Sequence, residues 1–523
     1  MEQKKFYITT PIFYANGELH MGHTYTLVLA DILARYHREI GEKTFFLTGS
    51  DEHGDKIVRA AKKEDLDPQI FVDDKVFLFK DLMEKLNISN DYFIRTSDQE
   101  RHWPGAMKLW QALVDAGDIY KSTYNGLYCV GCEAFITEKE LVDGKCPLHD
   151  AKPETISEEN YFFKLSKYST ELRRLLEDKL LKITPENKAN ELLSFFLEEG
   201  REATLSDVSI SRPRRDVSWG IPVPNDPEQL MYVWCDALSN YISALGYGSN
   251  NDTDFSTFWP ADVQVMGKDI IRFHGLLWPA LLLSAKLPLP KELLVHGFVN
   301  SGGKKMSKSL GNVLDPKEFI DEYGVDALRS YLAREVKPTE DWDLTREKFK
   351  EVYNANLANG LGNLVSRTLK MAEQYFDGHL IGKASSVPPL RTHISAIAEV
   401  GDLEGLNIPY VATNDILPRY HAHMHAHEIN KASDVIWEFI SHLDQFITDY
   451  EPFKLVKTDR EKTEQIIWGL LYGLDEIIKM ITPIMPETAQ KIRALIGTPV
   501  LDEEQRGMVF DVKTPMEPLF MRK

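Results

Sequence analysis

His20-Met21-Gly22-His23 places two imidazoles three residues apart with a glycine between them. Where a helix starts, that spacing turns both rings the same way, beside free amide groups and the positive end of the helix dipole. Lys304, Lys305 and Lys308 lie far downstream in a Gly- and Ser-rich stretch, Ser301-Gly302-Gly303 followed by Lys304-Lys305-Met306-Ser307-Lys308-Ser309. Imidazole edges, bare backbone and mobile ammonium groups suit a triphosphate, whose charge must be met and then stabilised as it shifts. Alone, each string is weak, since paired histidines and Lys/Ser turns are common on protein surfaces. A third constellation, Cys129-x2-Cys132 with Cys146-x2-His149, supplies four borderline ligands in two pairs. This spacing lets two knuckles hold one tetrahedral zinc ion. With no coordination position left for water, the ion would be structural. Three of the chain's four cysteines fall in this stretch, which argues against buried cysteines beside a chance histidine.

These residues need a scaffold that brings distant segments to one edge. Phe6-Tyr7-Ile8-Thr9 and Thr44-Phe45-Phe46-Leu47-Thr48 read as strands flanking a helix over residues 22–40. Such alternation predicts a doubly wound parallel sheet with ligands at the strand C-termini. No GxGxxG or GxxxxGK[ST] string is present, so the phosphate chemistry differs from the dinucleotide and P-loop types. Strand signals resume at Met231-Tyr232-Val233-Trp234, Val263-Gln264-Val265-Met266-Gly267 and Leu294-Val295-His296-Gly297-Phe298. The expected organisation is a first half of an α/β core at residues 1–116, an inserted zinc-bearing module at 117–215, the second half of the core at 216–340, and a C-terminal α-helical bundle at 341–523.

At 523 residues the chain calls for two to four domains. Its 43% hydrophobic and 27% charged content describes a soluble globular protein. The most apolar run, Leu276 to Leu283, is short and broken by Pro279, so no membrane span is expected. The start, Met1-Glu2-Gln3-Lys4-Lys5, does not read as a secretion signal, and clustered cysteines favour a reducing compartment; the cytoplasm is expected. A net charge of −19 disfavours indiscriminate nucleic-acid binding. It does not exclude local basic patches, one at the lysine stretch and another at Arg212, Arg214 and Arg215. His421, His423, His425 and His427 could pair at i, i+4 on a helix, but no cysteine or carboxylate completes either pair, and a solvated or packing face is preferred.

His20-Met21-Gly22-His23 resembles the HIGH motif of class I aminoacyl-tRNA synthetases, with Met in the Ile position, and Lys305-Met306-Ser307-Lys308-Ser309 matches their KMSKS motif throughout. The surrounding text resembles the methionyl-tRNA synthetase family. It includes Thr10-Pro11-Ile12-Phe13-Tyr14-Ala15-Asn16-Gly17, Asp51-Glu52-His53-Gly54, Val217-Ser218-Trp219-Gly220-Ile221-Pro222, Val233-Trp234-Cys235-Asp236-Ala237 and Gly267-Lys268-Asp269-Ile270. The resemblance implies activation of L-methionine with ATP and Mg²⁺, followed by transfer to the 3′ end of tRNA(Met).

By that resemblance His20, His23, Lys305 and Lys308 carry the catalysis. Gly22, Gly267, Asp269, Val299 and Lys308 meet ATP. Methionine falls to Ile12, Tyr14, Asp51, Trp234, Ala237, Leu238, Tyr241, Ile270 and His274, with Asp51 holding the ammonium group and an apolar, aromatic lining for the thioether. Leu238 stands where the family more often has proline, and keeps that wall apolar. Asn363, Arg367 and Phe453 stand where the family reads anticodon bases. Phe453 replaces a tryptophan and can still stack, and Asp444 replaces a nearby asparagine. A synthetase for isoleucine, valine or leucine would carry a long editing insertion, for which residues 117–215 are too few. A non-catalytic RNA-binding descendant would have no physical need of His20, His23 and Lys308. The absence of an appended domain after the bundle favours a monomer.

Overall fold

The computed structural model describes residues 3–131, 134–136, 138, 141–147, 150–198, 201–305, 314–390, 407–502 and 507–523. It divides into two compact units: Met1–Phe298 with Thr339–Asp341, and Val299–Pro338 with Trp342–Lys523. The first is α/β and Rossmann-like; the second is mainly helical.

The core of the first unit is a six-stranded parallel sheet. From one edge its strands are β3 (Tyr92–Arg95), β2 (Lys43–Asp51), β1 (Lys5–Tyr14), Val263–Gly267, Glu292–His296 and Lys182–Thr184. The chain runs outward from β1 to β2 and β3, then returns to the other side of β1. That reversal makes β1 and Val263–Gly267 a topological switch point, whose crevice at the strand C-termini holds ligands in this class of sheet. β1 is buried along most of its length, as a central parallel strand must be. Its Pro11 lacks an N–H and sits where the register with β2 shifts between Thr9 and Ile12, an irregularity that accommodates a missing donor. Lys182–Thr184 comes from the stretch between the two core halves and closes the sheet edge beside Glu292–His296.

Met231-Tyr232-Val233-Trp234 is not a strand of this sheet. Asp226–Met231 belongs to a small antiparallel sheet with Ser211–Pro213 and Pro222–Val223, and Val233–Leu238 is helical. Short apolar runs do not distinguish strand from buried helix by periodicity. A further antiparallel sheet, Val208–Ser209, Glu154–Phe163, Ile119–Cys129 and Ala134–Ile136, carries Cys129 at the end of its longest strand.

In the second unit the lysine stretch begins as a hairpin. Val299–Ser301 pairs with Lys304–Lys305 and, on its other side, with Trp342–Asp343. Gly302 (φ +62°) and Gly303 (φ +72°) form the turn, a backbone that only glycine adopts without strain. Met306, Ser307, Lys308 and Ser309 lie outside the described residues. The bundle contains Gly362–Phe376, Leu417–His425, Ile429–Tyr450, Arg460–Ile481 and Pro486–Ile496. Its helix ends are satisfied from inside: buried Arg329 donates to the carbonyls of Pro483 (2.9 Å) and Ile484 (2.8 Å), and Asp326 accepts from the Thr488 amide (2.5 Å). An unexpected antiparallel sheet of His379–Gly382, Gly507–Asp511 and Val500–Asp502 accompanies the helices. Among the described residues, no helix is long and apolar enough to cross a membrane.

Candidate active site

The helix after β1, α1 (Met21–Glu39), starts at His20, which serves as its N-cap. The Gly22 N–H donates to His20 Nδ1 (3.0 Å), and the His20 N–H donates to His23 Nδ1 (3.1 Å). Both Nδ1 atoms are thus acceptors, which puts the proton of each neutral ring on Nε2. The rings stack 3.8 Å apart, tilted by 21°. Two donors side by side at a helix N-terminus form a geometry that meets a phosphate. Burial, the neighbouring His20 and then His296 hold His23 well below the ordinary imidazole range, so the His23 ring stays neutral near pH 7.

His296, which sequence reasoning did not single out, fixes this turn to the other half of the sheet. Its Nδ1 donates to Gly297 O (2.8 Å), so Nε2 accepts from the Thr26 hydroxyl (2.7 Å). Gly267 ends the strand beside it, and Asp269 follows in a short turn. A Cβ on Gly267 would lie 2.7 Å from Asp269 Oδ1, so the side chain rests over a bare backbone.

The expected amino-acid residues gather in the same unit. Asp51 is buried at the C-terminus of β2, and Tyr14 pairs with it across the β1–β2 register. Ile12 is half-buried on β1. Trp234, Ala237 and Leu238 are buried on one short helix, and Trp234 stacks on Phe273 at 3.8 Å. Tyr241 donates to His274 Nε2 (2.8 Å), while His274 Nδ1 donates to Ile270 O (3.0 Å). His274 lies in a π-helical turn, Phe273–Leu277, an irregularity common at functional sites. Lys56 lies over the Tyr14 ring at 4.5 Å.

Burial pushes His274 down from 6.5 to about 4, so the ring is neutral and can accept from Tyr241. A histidine depressed in the native state is protonated first in the unfolded chain. Its contribution is therefore full above about pH 6.5 and is lost as the pH falls towards 4. For His274 the span is about 3 kcal/mol. The urea midpoint should fall across that window, and His274→Gln should flatten the fall; an identical slope in both proteins would refute this.

Three more charged side chains of this unit are buried in polar networks. Arg212, read from sequence as part of a basic surface patch, is instead buried. Its guanidinium lies over Tyr232 (4.7 Å) and Tyr128 (5.3 Å) and donates to Ser209 and Ser211. Glu52 is buried and takes both arms of Arg95 (2.7 and 2.9 Å), and its carbonyl accepts from the Trp219 indole (2.6 Å). Asp236 accepts from both His53 (2.6 Å) and His102 (2.7 Å). These contacts interlock three strings singled out in sequence: Asp51-Glu52-His53-Gly54, Val217-Ser218-Trp219-Gly220 and Val233-Trp234-Cys235-Asp236-Ala237. His102 carried no sequence signal.

Lys305 and Val299 belong to the second unit, and Lys308 lies outside the described residues. Cys129 and Cys146 are buried, each 1% exposed, with Cys146 opening a turn closed by Asp150 N to Cys146 O (2.8 Å). Cys132 and His149 lie outside the described residues. In the second unit Asn363 is exposed and lines an open cleft of about 380 Å³ with Asn359, Ser366 and Arg522. Arg367 is held by Asp444 (2.8 Å), so the residue standing for the usual asparagine supplies it a counter-charge. Phe453 is 42% exposed and is not a core side chain.

A parallel sheet with this switch point, whose first helix opens on a paired-histidine cap, defines a class I aminoacyl-tRNA synthetase. Residues 6–152 and 136–369 match the family model described as tRNA synthetases class I (M). The chain belongs to the methionine–tRNA ligases of that class. It is 44% identical to the methionine–tRNA ligase of Clostridium acetobutylicum, over 95% of this chain and 74% of that protein. With the Thermotoga maritima enzyme of the same name it is 40% identical, over 93% and 74%. Among solved structures, Mycobacterium tuberculosis methionyl-tRNA synthetase in complex with methionyl-adenylate superposes with a TM-score of 0.88 at 34% identity, covering 99% of this chain and 100% of that one. The apo form of that enzyme gives 0.79 at 32%, covering 100% and 99%.

Proposed function

We propose that the chain is a cytoplasmic methionine–tRNA ligase that activates L-methionine with ATP and transfers it to the 3′ end of tRNA(Met). The observation that carries this reading is the stacked His20/His23 pair, both protons on Nε2, in the same unit as the Trp234–Phe273 stack and the buried Tyr241–His274 bond. In the first step a methionine carboxylate oxygen attacks the α-phosphorus, and the bond to pyrophosphate breaks. Asp51 holds the ammonium group, while Trp234, Tyr241, Ile12, Tyr14, Ala237, Leu238, Ile270 and His274 surround the thioether. His20 and His23 donate to phosphate oxygens as charge develops there, over the low floor at Gly22. Gly267, Asp269 and Val299 hold the adenosine, and Lys305 and Lys308 neutralise the departing pyrophosphate. Mg²⁺, when bound with ATP, supplies further neutralisation of the phosphates. In the second step a terminal adenosine hydroxyl of the tRNA attacks the acyl carbon, and AMP leaves.

The division of labour follows the same reading: residues 1–116 and 216–340 form the catalytic halves, 117–215 the connective insertion, and 341–523 the anticodon-binding bundle. Cys129, Cys132, Cys146 and His149 would hold one structural zinc, a role that suits two buried thiols, one ending a strand and one opening a turn. Asn363, Arg367 and Phe453 would read anticodon bases, the exposed Phe453 ring by stacking.

ATP–pyrophosphate exchange with a panel of amino acids tests the activity. Exchange should depend on methionine. No exchange with any amino acid would overturn the enzyme reading, and a preference for isoleucine or valine would overturn the methionine one.

A further inference from the structure

Asp236 has no side-chain exposure, yet it carries a carboxylate within a short helix of which Trp234, Ala237 and Leu238 face the amino-acid site in the reading above. Its Oδ2 accepts from His53 Nδ1 (2.6 Å) and its Oδ1 from His102 Nε2 (2.7 Å). A carboxylate only accepts, so each ring must present an N–H. In a neutral His102 ring, Nδ1 then accepts from the Ser243 hydroxyl (2.8 Å). Burial raises the Asp236 carboxyl, but His53 and His102 outweigh it and hold the group below the usual carboxylate range.

The network ties together three segments that are far apart in sequence. His53 follows Asp51 and Glu52 at the end of β2. His102 immediately precedes the helix Trp103–Asp115. Asp236 lies on Val233–Leu238, a helix of six residues, too short to hold its own shape or angle. The residue between Asp51 and His53 is already locked, since Glu52 takes Arg95 and its carbonyl accepts from the Trp219 indole. Through His53 the Asp236 carboxylate joins the segment of Asp51, at the ammonium end of the proposed site, to the Trp234–Ala237–Leu238 wall, at its thioether end.

We infer that Asp236 is a positioning residue that sets the distance between these two ends by clamping His53 and His102, and so tunes methionine recognition rather than ATP recognition. Neither of the carboxylate's two partners, His53 and His102, is one of the residues assigned to the nucleotide, His20, His23 and Asp269, which leaves the nucleotide side outside the clamp. The inference rests on the assignment of Asp51 and Trp234 to the methionine site.

The test is pyrophosphate exchange by Asp236→Ala and Asp236→Asn, with rates normalised to active sites by the adenylate burst. Asp236→Ala should raise KM for methionine at least tenfold and change KM for ATP less than twofold. Asp236→Asn should return KM for methionine to within threefold of the unmodified chain. Its amide oxygen still accepts from His53, and its NH₂ donates to His102 Nε2 once that ring moves its proton to Nδ1, facing the Ser243 oxygen. Unchanged KM for methionine in Asp236→Ala, a parallel rise in both KM values, or an Asn variant as impaired as the Ala variant would each overturn the proposal. Should Asp236→Ala not fold, His53→Ala against His53→Asn gives the same split, because the asparagine amide nitrogen takes the place of Nδ1. If the unmodified chain shows no methionine-dependent exchange, the functional reading itself has failed. A normal parent with unmoved KM values sinks only the clamp.

Discussion

His23→Ala slows methionyl-adenylate formation by about 10²- to 10³-fold, equivalent to about 3–4 kcal/mol of lost transition-state stabilisation, while methionine affinity changes little. The large term comes from the Nε2 proton. Because Nδ1 is occupied by the His20 amide, the ring cannot change tautomer without breaking the α1 cap, and the donor is fixed before ATP arrives. Burial keeps the ring neutral, so no proton need be shed on binding. The smaller term is the cap itself, worth about 0.5–2 kcal/mol of stability. Two further variants separate them. His23→Asn places an amide oxygen near the Nδ1 position and restores the cap without a donor at Nε2. His23→Gln places an amide nitrogen near Nε2 and loses the cap. Single-turnover quench of adenylate formation should find Asn slow and Gln partly rescued. Full recovery in Asn would reduce the histidine to a helix cap.

Asp51→Asn weakens methionine binding by about 2–5 kcal/mol, the usual result of removing one member of a buried charge pair. The substitution keeps the shape of the side chain but removes the charge that, in the proposed site, faces the ammonium group. Its effect must therefore depend on that group. The unmodified chain should bind methionine far more tightly than the analogue in which hydrogen replaces the amine, and Asp51→Asn should compress that difference to a few-fold. ATP binding should be unaffected, because Asp51 ends β2 whereas the phosphates belong at the start of α1. Competition in the exchange reaction measures both. Undiminished discrimination against the deaminated analogue in Asp51→Asn would place the ammonium contact elsewhere.

Some features were legible in the sequence because they are local. Strand and helix signals from Phe6 to Thr48 follow short-range periodicity, and β1, α1 and β2 stand where that periodicity puts them. The His20/His23 pair is readable because one helix start carries both rings, and the KMSKS string because it matches a family motif at every position. The misses have the opposite character. Met231–Trp234 has the apolar content of a strand, but Tyr232 turns the chain and Val233–Leu238 coils, a choice made by burial on all sides. Arg212 reads as surface charge beside Arg214 and Arg215, yet two aromatic faces and the Ser209 and Ser211 oxygens stabilise it inside. Ser301–Lys305 reads as a loop, and becomes a hairpin because Trp342–Asp343 offers Val299–Ser301 a neighbouring strand.

The sequence by itself determined the chemical vocabulary of this protein: two imidazoles at a helix start, a carboxylate at a strand end, a set of aromatic and apolar residues, and the family to which those strings belong. Only the tertiary structure decided the protonation states and the rigidity with which they are presented. The His20/His23 tautomers follow from backbone geometry at one turn, but the neutrality of His23 and His274 follows from burial by the whole unit. The Asp236 clamp joins residues 183 and 134 positions apart, and the Thr26–His296 bond spans 270. No local pattern encodes such contacts. They exist because a parallel sheet returns its strand ends to one edge, where desolvation makes each buried polar group find a partner.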